Sequence, residues 1–191
     1  FFKQKTAYEI PKRDWSSDVC SSDLFDRLDA PFTLPHNIVI PAGSYDWNSF
    51  FVHLRSSQRL PIAFHSDVWC CSYYNGHELR IRNELALKPS EYFEMDASWD
   101  STFISLPGGK TDIEIMSINS ILNFTPDMQF AMQAQYDNVS QSFGFLGRYR
   151  WEFQPGSEIL IAVGQTALVP GTDFKAVQTQ ASFRVSHTLQ F

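Results

Sequence analysis

The chain of 191 residues is long enough for one ordinary domain, and its 15 basic against 21 acidic residues give a net charge of −6. That balance argues against a nucleic-acid partner held by a basic face. Charged residues make up only 19% and aromatic residues 15%, the reverse of what intrinsic disorder requires; no uncharged apolar run approaches the roughly 18 residues of a membrane helix, which leaves membrane strands open because they show only alternate residues to lipid.

The chain opens FFKQKTAYEIPKRDWSSDVCSSDL. Within it, Lys3 to Ile10 resembles the translation of the first half of an Illumina index-side sequencing adapter. Asp14 to Leu24 resembles the second half, and an index of eight bases between them would encode Pro11 and Lys12. The resemblance implies that residues 1–24 are vector-like sequence to be set aside before any fold reasoning. Trp15 and Cys20 then carry no functional information, and the natural chain is expected to extend upstream of Phe25. The segment holds four basic and four acidic residues, so residues 25–191 keep the net charge of −6.

Residues 25–48 carry prolines at 31, 35 and 41 and no sustained period, which predicts a connecting loop or arm. From there the period is 2, the strand signature. Nine strands are predicted, at about 49–57, 60–73, 78–87, 91–104, 111–123, 128–137, 143–153, 158–168 and 174–191. Tight connections fall at Ser57-Gln58-Arg59, Lys88-Pro89-Ser90, Thr125-Pro126-Asp127 and Gln154-Pro155-Gly156-Ser157. Between them lie connections at 74–77, 106–110, 137–142 and 170–173. Asn75-Gly76 is the strongest hairpin signal, because a type I′ turn needs φ > 0 at both central residues. Hairpin-length connections throughout predict an antiparallel meander.

The strands separate into two faces. Phe143, Phe145, Gly147, Tyr149, Trp151 and Phe153 oppose Gly144, Leu146, Arg148, Arg150 and Glu152; Phe93, Met95, Ala97, Trp99 and Phe103 oppose Tyr92, Glu94, Asp96, Ser98 and Asp100. A soluble sandwich shows the same alternation. Length discriminates, since strands of ten or more residues exceed the usual five or six and match the 9 to 11 tilted residues that cross a bilayer. Phe93, Tyr149, Trp151 and Phe153 stand near strand ends, as an interfacial aromatic girdle would. Arg80, Arg82, Glu84, Glu94, Asp96, Asp100, Arg148, Arg150, Glu152 and Arg184 would line a water-accessible lumen, mostly neutralising one another. The segments 111–123 and 158–168 are apolar on both faces, so their register stays open.

The last residues put Phe183, Val185, His187, Leu189 and Phe191 on one face and end on Phe. This resembles the C-terminal β-signal by which bacterial outer-membrane barrels are recognised for insertion. An unpaired final strand can add to another barrel's edge before its own closure hides it, which implies the barrel-assembly machinery and the lipid bilayer as partners. His187 departs from the usual apolar choice. If Phe191 is periplasmic, the turns near residues 58, 89, 126 and 155 are periplasmic and those near 75, 108, 138 and 171 are extracellular.

Pro41-Ala-Gly-Ser-Tyr45, Leu106-Pro-Gly-Gly109, Gln135-Tyr-Asp-Asn138, Arg148-Tyr-Arg-Trp151 and Pro155-Gly156-Ser157 are similar to motifs of an uncharacterised family, domain of unknown function 5916. That family joins an N-terminal family 9 type carbohydrate-binding module to a C-terminal outer-membrane barrel. The resemblance runs from about Pro41 to Val169 and implies carbohydrate as a partner through the module. It transfers no catalytic residue.

Other candidate chemistry is thin. Adjacent strand residues point to opposite faces, so Cys70 and Cys71 are expected as two separate apolar-type cysteines, one facing lipid, rather than as a metal pair with wider spacing. His65 and Asp67 share the polar face, but Ser66 between them points away, so hydrogen bonding in the lumen is expected. Asn123-Phe124-Thr125 is a formal sugar-acceptor pattern in a periplasmic turn, and Leu106 to Lys110 lacks the spacing of a phosphate loop. No catalytic, metal or cofactor-binding residue is assigned, no cofactor is expected, and the chain is expected not to be an enzyme. The sequence thus predicts an all-β antiparallel meander of about nine strands, an incomplete transmembrane β-barrel of the bacterial outer membrane. With an odd count, at least one strand is expected upstream. The expected role is surface transport or polysaccharide handling. The alternatives are a soluble β-barrel binding a small apolar ligand and a membrane anchor displaying an N-terminal module.

Overall fold

A computed structural model describes residues 15–187. Ten strands form one antiparallel sheet: β1 (Trp15–Leu28), β4 (Gly43–Ser56), β5 (Ile62–Tyr73), β6 (Gly76–Ser90), β7 (Phe93–Leu106), β8 (Gly109–Thr125), β9 (Met128–Asp137), β10 (Ser142–Gln154), β11 (Ser157–Leu168) and β12 (Lys175–His187). A separate two-stranded hairpin, β2 (Phe32–Leu34) and β3 (Ile38–Ile40), stands between β1 and β4. The large sheet follows chain order, with β1 and β12 at its two edges and the hairpin as its one interruption. The fold is therefore the predicted all-β meander, open at both edges, with no α-helix among the described residues.

Nine of the ten long strands answer to the nine predicted ones, with ends moved by a few residues. The tenth, β1, runs through residues set aside on the adapter resemblance, so the odd count does not hold for the described sheet. Most of residues 25–48 is also structured: the end of β1, the β2–β3 hairpin and the first residues of β4 occupy what the prolines suggested was a loop. Proline stops a regular period without preventing three-residue strands at its flanks, and a 3-10 turn at Pro35–Asn37 joins the two. Residues 1–14, including the first adapter-like half, lie outside the described residues, as do Leu189 and Phe191.

The turn before β6 sits one residue earlier than predicted. Tyr73 pairs with Gly76, Tyr74 and Asn75 are the central residues, and of these only Tyr74 takes a positive φ, 47°. Gly76 is needed for a different reason: a Cβ there would stand 2.2 Å from the Ser105 carbonyl oxygen of the neighbouring strand. Pro89 is strand rather than turn, placed at the register shift between Leu87 and Ser90, where a ladder tolerates a residue without an N–H.

Cross-strand partners share a face, so the register settles the two segments that alternation left open. Trp99, Met116, Tyr136 and Phe143 form one continuous row across four strands, and Met95, Ser120, Met132, Gly147 and Val163 another. On β8 the apolar face therefore carries Met116, Ile118 and Leu122; Ile113, Ile115 and Ile121 face the other way. On β11, Ile159, Ile161 and Val163 join the apolar face and Leu160 the polar one.

Among the described residues no second layer covers the apolar face. Trp99, Met116, Ile118, Ile161, Val163 and Phe183 are all solvent-exposed on it. The buried apolar cluster is small and lies on the opposite, polar face: Leu34, Ile38 and Ile40 of the hairpin against Ile104 and Leu106 of β7, rimmed by Leu28, Tyr45, Tyr73, Tyr74 and Ile113. A hydrogen bond of 2.7 Å between His36 Nδ1 and Thr111 Oγ1 ties the hairpin's turn to β8. The hairpin thus caps the polar face at the end where residues 74–75 and 107–108 turn.

Candidate functional site on the polar face

Two-residue turns connect strands at both ends of the sheet, at 91–92, 126–127 and 155–156 and also at 74–75 and 107–108. The connections at 57–61, 138–141 and 169–174 have four to six residues and 29–42 holds the small hairpin, so chemistry has to be sought on the sheet's faces rather than in long loops.

The ten charges predicted for the polar face share it by register, and several are paired. Arg82 Nε donates to Asp100 Oδ1 at 2.6 Å, Arg80 Nη2 to Glu78 Oε1 at 2.8 Å, and Arg150 reaches Glu152 at 2.9 Å and Glu158 at 3.2 Å. Glu94 pairs with Lys88. Glu84 accepts from His65. Arg148, Arg184 and Asp96 form no ion pair among the described residues. Glu78, Lys88 and Glu158 were not among the predicted charges; their places opposite or beside the named arginines and Glu94 follow from register.

His65 and Asp67 are bonded as expected, His65 Nε2 to Asp67 Oδ1 at 2.9 Å. The structure adds two partners that alternation along one strand cannot show. His53 of β4 lies directly across from Asp67, and Glu84 of β6 directly across from His65. His53 Nδ1 also contacts Asp67 Oδ1, its distance to His65 Nε2 is 3.3 Å, and His65 Nδ1 is 3.1 Å from Glu84 Oε2. Asp67 is buried and both imidazoles are largely covered. The registers of the β4–β5 and β5–β6 hairpins were the signals that would have found them.

Beside this cluster runs an aromatic strip that sequence reasoning missed. Tyr45, Trp47 and Phe51 of β4 and Trp69 and Tyr73 of β5 occupy the polar face, joined by ring contacts: Phe51 with Trp69 at 5.0 Å, Trp47 with Tyr73 at 6.1 Å, Trp47 with Tyr74 at 4.8 Å. Its signal was the period of 2 in Tyr45-Asp-Trp47, hidden inside a stretch read as loop. In the turn outside the strands, burial pushes the Tyr74 phenol up to about 12, helped by its hydrogen bond of 2.7 Å to Asp26 Oδ2.

On the apolar face, Phe93, Tyr149 and Trp151 stand at one end of the sheet by register, and Phe153 contacts Trp151 at 6.0 Å. A second ring group unforeseen in the sequence stands at the other end: Phe103, Tyr136 and Phe143, with Phe174 meeting Phe143 at 6.2 Å. At that end the apolar stripe also stops on β8 at Asp112 and Glu114, and on β4 at Asn48 and Asp46. A Ser66–Asn83 pair midway satisfies itself at 2.8 Å.

Of the row predicted as a C-terminal signal, Phe183 and Val185 lie on the apolar face opposite Ile161 and Ile159. His187 lies opposite Ser157, and its Nδ1 hydrogen-bonds the buried Ser157 Oγ, which accounts for a polar residue in an otherwise apolar row. Cys70 and Cys71 differ from expectation: their sulfurs are bonded to each other, so neither offers a thiolate. Cys20 is free and exposed.

No family model, curated protein or solved structure matches this chain.

Proposed function

We propose that residues 25–191 are strands of a bacterial outer-membrane β-barrel, that the apolar face meets lipid and the polar face lines the lumen, and that residues 1–24 are translated adapter. The observation that carries the reading is the uncovered apolar face, bordered by aromatic rings at both ends. Monomeric soluble proteins rarely expose contiguous apolar patches above a few hundred Å². Here exposed large apolar side chains recur on β4 to β8 and on β10 to β12. From Phe143 to Trp151 is eight residues, about 26 Å along a strand and about 20 Å after a tilt of about 40°, close to the apolar band of such barrels. The adapter reading is supported by the resemblance of Lys3 to Ile10 and Asp14 to Leu24 to the two adapter halves.

Within that reading, the lumen handles polysaccharide or its fragments. The aromatic strip from Tyr45 to Tyr73 supports this, since rings beside hydrogen-bonding and paired charged groups suit the apolar faces and hydroxyls of sugars. The resemblance to the family that carries a carbohydrate module agrees with it. The insertion machinery and the bilayer are the partners the C-terminal row implies.

Fractionation of cells expressing the full-length protein tests the reading. It should sediment with outer membranes, resist alkaline carbonate and need detergent for release. Recovery from the soluble fraction without detergent overturns it in favour of a soluble β-barrel with a small apolar ligand. Planar-bilayer conductance that oligosaccharide blocks would support transport; conductance absent with and without sugar would leave the barrel as an anchor for an N-terminal module.

A further inference from the structure

We propose that His53, His65 and Asp67 bind a divalent transition-metal ion such as Zn²⁺ on the polar face, with Glu84 orienting His65. Nothing in this inference depends on whether the sheet sits in a membrane.

Three potential ligand atoms, His53 Nδ1, His65 Nε2 and Asp67 Oδ1, lie within 4.8 Å of one another. Nitrogen and oxygen ligands stand about 2.0–2.2 Å from Zn²⁺, which puts neighbouring ligands about 3.3 Å apart in a tetrahedron and about 2.9 Å apart in an octahedron. Two of the three observed separations match, 3.3 Å between the two ring nitrogens and 2.9 Å between His65 Nε2 and Asp67 Oδ1; His53 Nδ1 and Asp67 Oδ1 stand closer and would move apart around the ion. The backbone sets this spacing: His53 and Asp67 are cross-strand partners, and His65 is two residues along the same strand. Imidazole and carboxylate suit first-row transition ions.

The hydrogen bonding of the cluster is frustrated without a cation. Asp67 Oδ1 accepts only, so each contact to it needs a proton on the facing ring nitrogen. Both nitrogens then present N–H groups to each other across 3.3 Å. His65 Nδ1 at the same time faces a second acceptor, Glu84 Oε2, at 3.1 Å. A bound ion resolves all of this. The three converging atoms offer lone pairs to the ion, and His65 stays neutral with its one proton on Nδ1, donated to Glu84. A carboxylate on the far nitrogen is the usual device that fixes a ligating histidine's tautomer and ring orientation.

The surroundings favour the ion. Arg82 lies across the strand from Asp67 and donates to Asp100 at 2.6 Å rather than to Asp67, though its charge still acts on Asp67 and Glu84. Phe51 packs on His53, ring centroids 6.0 Å apart. On the other side, His65 and Glu84 border an open depression of about 410 Å³ shared with Arg55, Asp96, Ser98 and Asn119. Three protein ligands leave a coordination position for water or a further ligand.

The test uses the untagged full-length chain in detergent, stripped with chelator and titrated with ZnCl₂ or MgCl₂ in a calorimeter. One Zn²⁺ per chain and no Mg²⁺ are expected. His53→Ala and Asp67→Asn should weaken Zn²⁺ at least 100-fold, and Glu84→Gln about 10-fold to 100-fold. No stoichiometric Zn²⁺ uptake, or uptake unchanged in both ligand variants, overturns the proposal. Should those variants fail to fold, the wild-type chain loaded with one Cu²⁺ decides. Paramagnetic resonance showing hyperfine coupling to two imidazole nitrogens supports the site, and a spectrum without nitrogen coupling overturns it.

Discussion

Tyr74 and Gly76 show how a turn that is plain in the sequence can be built differently in detail. Asn75-Gly76 marks the hairpin correctly, yet the positive φ falls on Tyr74, and Gly76 serves the close approach of β7. Gly76→Ala should therefore separate the two strands near Ser105. A cost of about 1–3 kcal/mol is expected from overpacking, read as a lower denaturant midpoint. Tyr74 carries a pH dependence. The unfolded phenol releases its proton near pH 10 and the folded one near 12, so between those values the unfolded state binds fewer protons and stability falls as pH rises. Thermal unfolding should be insensitive to this group below about pH 10 and decline above it, and Tyr74→Phe should remove that part of the decline. Ser157 explains His187 in a way no single-strand pattern could, because the two residues meet across strands.

At the level of elements, period-2 alternation from residue 49 onward located nine strands because most of them have one polar and one apolar face, and turn residues bounded the two that are apolar on both; the ends moved where a bulge or a cross-strand glycine carried the strand further. The β2–β3 hairpin stayed hidden for a physical reason. Its strands are three residues each, too short for a period, and its apolar residues Leu34, Ile38 and Ile40 bury themselves on the face that is polar elsewhere. Ile40 is fully buried, so Ile40→Ala should cost about 2–5 kcal/mol locally. Limited proteolysis is expected to cut within residues 29–42 in this variant, while β5 to β11 stay protected. β1 contributes backbone pairing to β4 and buries little. Removal of residues 1–24 is accordingly expected to leave detergent-solubilised folding unchanged, checked by circular dichroism and by the heat-dependent shift of the band on a denaturing gel. A protein that no longer folds after the deletion would count against treating that segment as adapter.

The whole sheet is organised by its two faces, and that organisation was the most legible feature of the sequence. Alternation placed Trp99, Tyr149 and Trp151 on one side and Arg82, Asp100 and Arg150 on the other; the register then joined these stripes across ten strands. What alternation could not supply was adjacency between strands, and the polar-face site consists of adjacency: His53 against Asp67, Glu84 against His65, Phe51 against Trp69. The central claim is that the apolar face meets lipid. Its most direct test is fluorescence quenching by brominated acyl chains in reconstituted vesicles, using variants that keep one tryptophan each. Trp99 lies mid-strand on the apolar face and is 48% exposed, whereas Trp69 lies mid-strand on the polar face against Phe51. The account predicts strong quenching of the chain that keeps Trp99 and little quenching of the chain that keeps Trp69; equal quenching of both, or none of either, would contradict it.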